Sequence, residues 1–592
     1  MPDASSDIFA PLREGDTAAV RAVLAANPDA VRHTKSDGST PAHYAAYFAH
    51  PEILEELLEH GADPNARNQA GHSPLHFAAF GGCSQSFSAL VNHGADIAAV
   101  DEFGTGILHA AATGGSIHAI ECLVDLGCGM DTPNAYSERP LHRAAQAGKL
   151  DVVQWLLEHG AEPNPVDDYR LTILHKAVVG GAADVVSYLL ERGDDAEARD
   201  QVGDTPLHSA ASFGRIEIVS LLLSHGVPVD ILNHEDQTPL YTAAIAGHHE
   251  IVRLLLEHHA ETRIANHLGR TALHAAAAHG HQAVIRTLAE AAAPLDSPDA
   301  DGNTPLDLAG VYARSGAWEA LRSLGAQPGR DIRPEDAGAQ IERAVAPGEA
   351  ICWYLGHSGW AVRTANHLLI FDYAPSGRAG GEDSLANGRI HPEQLASYPV
   401  TVFVSHHHTD HFDRHILEWQ QQIPDIRYVF GWDAEVDTAG LRFGGTDVEE
   451  IDGLRIGAIP ATDSGSAFAV EVDGIVIYHA GDHVAGRIPP EPAFTDGITY
   501  LAERFAPVDL AFLPAFGCGF PSTEALRSGS LFTLEHLDVA ATLPMHIGWT
   551  SALYRQFARR LRDEGCTRAI HPADEPGDRF LFSNGTLRRA WI

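Results

Sequence analysis

Up to about residue 327, apolar positions fall into short stretches with helical spacing, broken by glycine turns, and the arrangement returns every 33 residues. The openings GSTPAHYAA at Gly38, GHSPLHFAA at Gly71, GDTPLHSAA at Gly203, DQTPLYTAA at Asp236 and GRTALHAAA at Gly269 mark the step. Its threonine position falls at Thr40, Ser73, Gly106, Arg139, Thr172, Thr205, Thr238, Thr271 and Thr304. Each opening predicts an alanine-rich helix, a glycine turn and a second helix such as DVVQWLLEHGA. One such pair cannot bury its own apolar stripe, so the Leu, Val and Ile of the second helices are expected to pack against neighbouring repeats. From Ile351 the pattern changes to β-branched and aromatic runs bounded by turns, ICWYLGHSGWAVRT, HLLIFDY and PVTVFVS, which predict strands. The Gly, Pro, Ala and charge-rich stretch GAQPGRDIRPEDAGAQIERAVAPGEA between them reads as a linker. The expected division is 1–327, a linker at 328–347, and 348–592.

The repeated TPLH-type opening resembles the ankyrin repeat. The resemblance implies an all-α solenoid of about ten helix pairs, with caps at IFAPLREGDTAAVRAVLAANPDAV and LDLAGVYARSGAWEALRSLGA. It also implies that His43, His76, His109, His142, His175, His208 and His274 hydrogen-bond between repeats, which assigns many of the 36 histidines to structure rather than to metal. A protein partner, or gating of the second domain, is the role such an array implies.

Composition narrows the function classes. A net charge of −39, with acidic excess in both halves, argues against a nucleic-acid backbone or anionic membrane as main partner. No apolar run reaches the length of a membrane span, and the first residues show neither a basic nor an apolar signal region, so a cytoplasmic location is expected. The six cysteines are scattered without CxxC pairs, as reduced thiols would be.

The chemistry concentrates where VTVFVS runs into HHHTDHFD. The spacing H-x-H-x-D-H at a strand's end lets His406 and His408 face one metal while Asp410 and His411 turn to a second. This string resembles the metallo-β-lactamase superfamily, and GHSGW and IFDY are similar to the branch with ascorbate-phosphate lactonases and N-acyl-phosphatidylethanolamine phospholipase D. The implied fold is an αββα sandwich over roughly 350–580. The resemblance makes Asp482, in YHAGD, the bridging ligand and His546, in LPMHIG, the last metal histidine. Where the superfamily usually offers another histidine this chain has IPATDSGSAFAVE, so Asp463 is either a ligand or a turn aspartate.

The expected set is therefore His406, His408 and Asp463 on one ion, Asp410, His411 and His546 on the other, with Asp482 shared. Two divalent ions are expected, zinc first, with manganese or iron admitted by the oxygen donors. Such a pair activates a shared water and polarises a carbonyl or phosphoryl oxygen of a small-molecule substrate. Asp410 is a candidate to orient or deprotonate that water, and His479 and His483 are candidates to protonate the leaving group. His357 either lines the pocket or is a buried core histidine; His407, His415 and His571 read as non-ligands, and Cys518 as pocket wall. Specificity is expected in the loops 375–387 and 484–497.

The function read from the sequence is a metal-dependent hydrolase of an ester, lactone or phosphodiester. The alternative is an interaction scaffold with a structural or inactive metallo domain.

Overall fold

The computed structural model describes residues 7–589 except 102, 331, 334–343, 357–358, 375–388, 407–411, 433–439, 444–445, 462–464, 482, 484–489, 491, 516–522, 546–556, 560, 563–565, 567, 572 and 574–577. The chain forms two compact units, Met1–Asn233 with Glu257–His259, and His234–Leu256 with Ala260–Ile592. The division falls within the repeats, while the stretch expected as a linker lies largely outside the described residues.

Ten helix pairs are seen among the described residues, from Phe9–Glu14 with Thr17–Ala26 to Pro305–Val311 with Ser315–Ser323. Local chemistry starts the first helix of each repeat. At Thr40, Thr205 and most of the other openings proline occupies the first helical turn, where its missing N–H costs nothing. The histidine three residues after the threonine position turns back to it: His175 Nδ1 accepts the Thr172 N–H at 3.3 Å. Its other nitrogen reaches the next repeat, since His175 Nε2 meets the Asp204 carbonyl at 3.2 Å, His43 that of His72 at 3.0 Å and His109 that of Glu138 at 3.0 Å. An N–H only donates and a carbonyl only accepts, so these rings are neutral with the proton on Nε2. In the second unit His274 bonds the Asn303 carbonyl at 3.3 Å in the same way. The inter-repeat role is thus seen for His43, His76, His109, His175 and His274, whereas the buried Nε2 of His142 meets no partner among the described residues. The second helices bury Val152, Val153 and Leu156, and then Val185, Val186 and Leu189, at the 3.6-residue spacing.

The second unit also holds two sheets. The strands are β1 (Glu349–Gly356), β2 (Gly359–Arg363), β3 (Leu368–Phe371), β4 (Val400–Val404), β5 (Ile426–Phe430), β6 (Leu441–Arg442), β7 (Asp447–Ile451), β8 (Leu454–Pro460), β9 (Ser466–Val472), β10 (Ile475–His479), β11 (Leu510–Pro514), β12 (Ala541–Met545), β13 (Ala569–Ile570), β14 (Arg579–Ser583) and β15 (Thr586–Arg589). One sheet runs β15-β14-β1-β2-β3-β4-β5-β6 and the other β13-β12-β11-β10-β9-β8-β7. Side chains alternate across each strand. Phe371 and Phe403 point between the sheets, with Phe403 5.5 Å from Phe468 and Phe371 5.9 Å from Phe512. Val400, Val402 and Val404 point the other way, into a cluster with Ile416 and Trp419 of the 3-10 segment Arg414–Gln421. Helix Pro492–Phe505 covers the second sheet, where its Phe505 ring lies against Gly457 of β8. Both faces of the central strands are therefore buried, which explains why VTVFV reads as a continuous apolar run. The layering is the sandwich expected from the sequence.

Candidate metal centre

β3, β4 and β5 run parallel in one sheet, and β10, β11 and β12 in the other, so their carboxyl ends share one edge of each sheet. β4, β10, β11 and β12 end there at Val404, His479, Pro514 and Met545, and β9 begins at Ser466 beside the end of β10.

His406 is the one assigned metal ligand among the described residues; His408, Asp410, His411, Asp463, Asp482 and His546 lie outside them. Accordingly, no three His, Cys, Asp or Glu side chains among the described residues come together as a metal cluster. The flanks of several ligands do meet. Ser466 N donates to the Ser405 carbonyl at 3.0 Å, joining the segment after Asp463 to the residue before His406. A Cβ added at Gly465 would stand 2.6 Å from the His406 Cβ, and one at Gly481 would stand 2.7 Å from the Ser405 Cβ. Glycine two residues after Asp463 and immediately before Asp482 thus permits an approach that any side chain would block.

A residue the sequence reading did not single out holds this junction. Asp372 follows β3 with a φ of 44°, a left-handed conformation that aspartate tolerates better than most residues, and it is buried. Its Oδ1 accepts from Ser405 N and its Oδ2 from Ser405 Oγ, both at 2.7 Å. The hydroxyl has one proton and gives it to the carboxylate, so the 3.0 Å contact between Ser405 Oγ and His406 Nδ1 is made by an Nδ1–H donor. That tautomer puts the ring's lone pair on Nε2, as a metal-ligating imidazole requires, and the hydrogen bond fixes the ring's orientation. His406 therefore fits a metal. The only sequence signal for Asp372 was a carboxylate ending an apolar strand, in IFDY. The parallel register of β3 on β4, Phe371 opposite Phe403, is what delivers it to Ser405.

His479 ends β10 within the layer between the sheets, stacked on Phe371 at 4.9 Å, with its Nδ1 accepting Gly481 N–H at 3.3 Å and standing 3.8 Å from Asp372 Oδ2. His483 is buried against Phe494, ring centroids 4.6 Å apart, with Nδ1 3.3 Å from the Tyr478 hydroxyl. Burial pushes its pKa down to about 3, so the ring is neutral at ordinary pH. His415 is exposed and its pKa is raised by the Asp413 carboxylate at 2.8 Å, well apart from any ligand role. His571 is half-buried, its backbone N–H bonded to Thr542. His357, His407, Cys518, the loop 375–387 and the first part of the loop 484–497 lie outside the described residues.

Residues 9–167 and 174–333 match, in overlapping segments, the family described as Ankyrin repeats (3 copies). The chain belongs to the ankyrin-repeat family. In this ankyrin-repeat protein, residues 351–517 match a second family, described as a Beta-lactamase superfamily domain. The second half is a hydrolase domain of that superfamily. It is similar to a UPF0173 metal-dependent hydrolase of Thermococcus onnurineus, 26% identical over 211 residues, which are 33% of this chain and 82% of the relative. A UPF0173 metal-dependent hydrolase of Pyrococcus horikoshii is 26% identical over 245 residues, 38% of this chain and 96% of the relative. The solved ankyrin repeat domain of human ASB11 is 32% identical and covers 37% of this chain and 98% of its own, with a TM-score of 0.34. Among the described residues no helix is long and apolar enough to cross a membrane.

Proposed function

We propose that this ankyrin-repeat protein is a metal-dependent hydrolase of an ester, lactone or phosphodiester bond in a small molecule, with the repeats engaging a protein partner or gating access. The observation that carries the reading is the Asp372–Ser405–His406 chain of hydrogen bonds at the strand edge where the flanks of Asp463 and Asp482 close in. The names of the archaeal relatives support metal dependence. His406, His408 and Asp463 would hold one divalent ion and Asp410, His411 and His546 a second, with Asp482 shared; zinc suits the imidazoles, and the carboxylates admit manganese or iron. Bound metal would supply an activated water and polarise the scissile carbonyl or phosphoryl group.

Around it, Asp410 is proposed to orient that water and take its proton. His479 and His483, buried on either side of the Asp482 position, are proposed as the groups that serve the leaving group. A cytoplasmic location is part of the proposal, supported by free thiols at Cys83, Cys122, Cys128, Cys352 and Cys566.

Metal analysis by mass spectrometry of protein purified without added metal tests the proposal, on wild type, Asp482→Ala and Asp463→Ala, with phosphodiester, lactone and ester substrates screened on the same samples. About two metals per chain, falling in both variants together with turnover, is the expected result. Metal-free wild type, or turnover indifferent to Asp482→Ala, would overturn it.

A further inference from the structure

A groove of about 430 Å³ opens on the repeats between the first helices of successive repeats and the loops that precede them. The 33-residue step places Tyr47 and Phe80 at one repeat position on the helices, with Phe77 beside them, and Phe103 and Tyr136 at another on the loop tips. Tyr47, Phe80 and Phe103 leave 47%, 45% and 41% of their surfaces in water, an aromatic exposure that the stacking of repeats does not require. Tyr47 and Phe77 lie 5.9 Å apart at 77°, and Phe103 and Tyr136 6.2 Å apart at 30°.

The charges in the wall select among anchors. Asp101 is fixed there by N–H groups of Phe103 at 2.9 Å and Thr105 at 2.7 Å, with His72 Nε2 at 3.3 Å from its other oxygen. The cation of the wall, Arg143, is already paired with Glu138 at 2.7 Å and adds no net charge. An anionic anchor would meet Asp101 within a chain of net charge −39. A neutral apolar anchor would meet the rings alone and gain nothing from the Asp101 carboxylate. An aliphatic ammonium is attracted both by the ring faces and by the carboxylate.

We propose that this groove binds a lysine side chain of a protein partner, methylated or not, between the rings of Tyr47, Phe77, Phe80, Phe103 and Tyr136 with Asp101 as counter-charge. The proposal rests on the reading of the repeats as a protein-binding surface and is independent of the metal centre.

Nuclear magnetic resonance titration of the full-length protein with three capped amino-acid amides tests it: lysine, trimethyllysine, and the neutral carbon isostere of trimethyllysine. The two cations should bind, and the neutral isostere should bind at least about tenfold more weakly. Phe80→Ala and Phe103→Ala should each weaken trimethyllysine binding by about tenfold and melt close to the wild-type temperature, since both residues lie at the surface. Asp101→Asn should weaken both cations, and Leu126→Ala, at an exposed position outside the groove, should change nothing. No binding of either cation, equal binding of the neutral isostere, or unchanged affinity in Phe80→Ala and Phe103→Ala would each overturn the proposal. Because no reading depends on bound metal, failure here and failure of the hydrolase proposal are separate results.

Discussion

The Tyr312 hydroxyl donates a 2.6 Å hydrogen bond to Asp578 Oδ1, tying the helix pair that ends the repeats to the residue that leads into β14. Both side chains are buried, and the neighbouring Arg579 guanidinium donates to the Val311 carbonyl at 2.8 Å. β14 pairs with β1, whose Tyr354 N–H bonds the Asp578 carbonyl at 2.8 Å, so the end of the repeats is fastened to the β14–β1 pair of the first sheet. Tyr312→Phe removes one donor from a buried carboxylate that Arg589 still pairs at 2.7 Å. Hydrogen bonds to charged groups contribute about 1.5–3 kcal/mol, so the urea midpoint of the unit that holds these residues should fall. An unchanged midpoint would show that the bond contributes nothing.

The neutral histidines of the repeats make stability depend on pH. Burial pushes His76, His142, His175 and His274 from an ordinary 6.5 down to about 4. The unfolded chain takes up these protons near the ordinary value while the folded chain refuses them. Their stabilisation is therefore complete above about pH 6.5 and is lost as pH falls towards 4. Circular dichroism melts of the repeats should show a Tm that is level above that range and drops steeply below it; a profile level down to pH 4.5 would contradict the burial argument.

Asp372→Asn tests the clamp behind His406. The amide keeps the shape of the carboxylate but cannot accept from both Ser405 N and Ser405 Oγ with full charge. Loss of such an outer partner weakens metal binding by about 10–100-fold, to be read by competition with a chelator while the fold is followed by circular dichroism. Metal affinity equal to wild type would remove Asp372 from the centre.

Lys176 is a buried ammonium between two carboxylates, paired with Glu138 and, at 2.8 Å, with Asp167. Burial works to raise the pKa of both acids; Lys176 and Arg143 bring Glu138 below its ordinary value, while Asp167 stays above its own. Lys176→Met leaves Asp167 without its cation and should cost about 3–5 kcal/mol in urea unfolding. Adding Asp167→Asn should restore part of the loss; a single variant as stable as wild type would mean the network is energetically neutral.

Legibility followed sequence distance. The repeat histidines could be assigned through the resemblance of their TPLH-type opening to the ankyrin repeat, and His175 bonds its own helix start and the next repeat, both within one period of the pattern. The HxHxDH string at 406–411, proposed as metal ligands, stood out because its members are contiguous in the sequence. Asp372 stayed hidden, since Ser405 is 33 residues away and only the β3–β4 register joins them. The same holds for the burial of His479 and His483, which a motif of alternating His and Asp cannot express.

The sequence by itself determined the repeats, their caps and the change to strands after Ile351, because periodic burial and strand alternation are local demands that each segment states for itself; the two-sheet sandwich was legible only through the resemblance of the HxHxDH string. Tertiary structure alone decided that Asp372 orients His406 through Ser405 and that Tyr312 meets Asp578, 266 residues further along. Those contacts arise where separately formed elements pack, and no local pattern of apolar and polar residues records which surfaces will face one another.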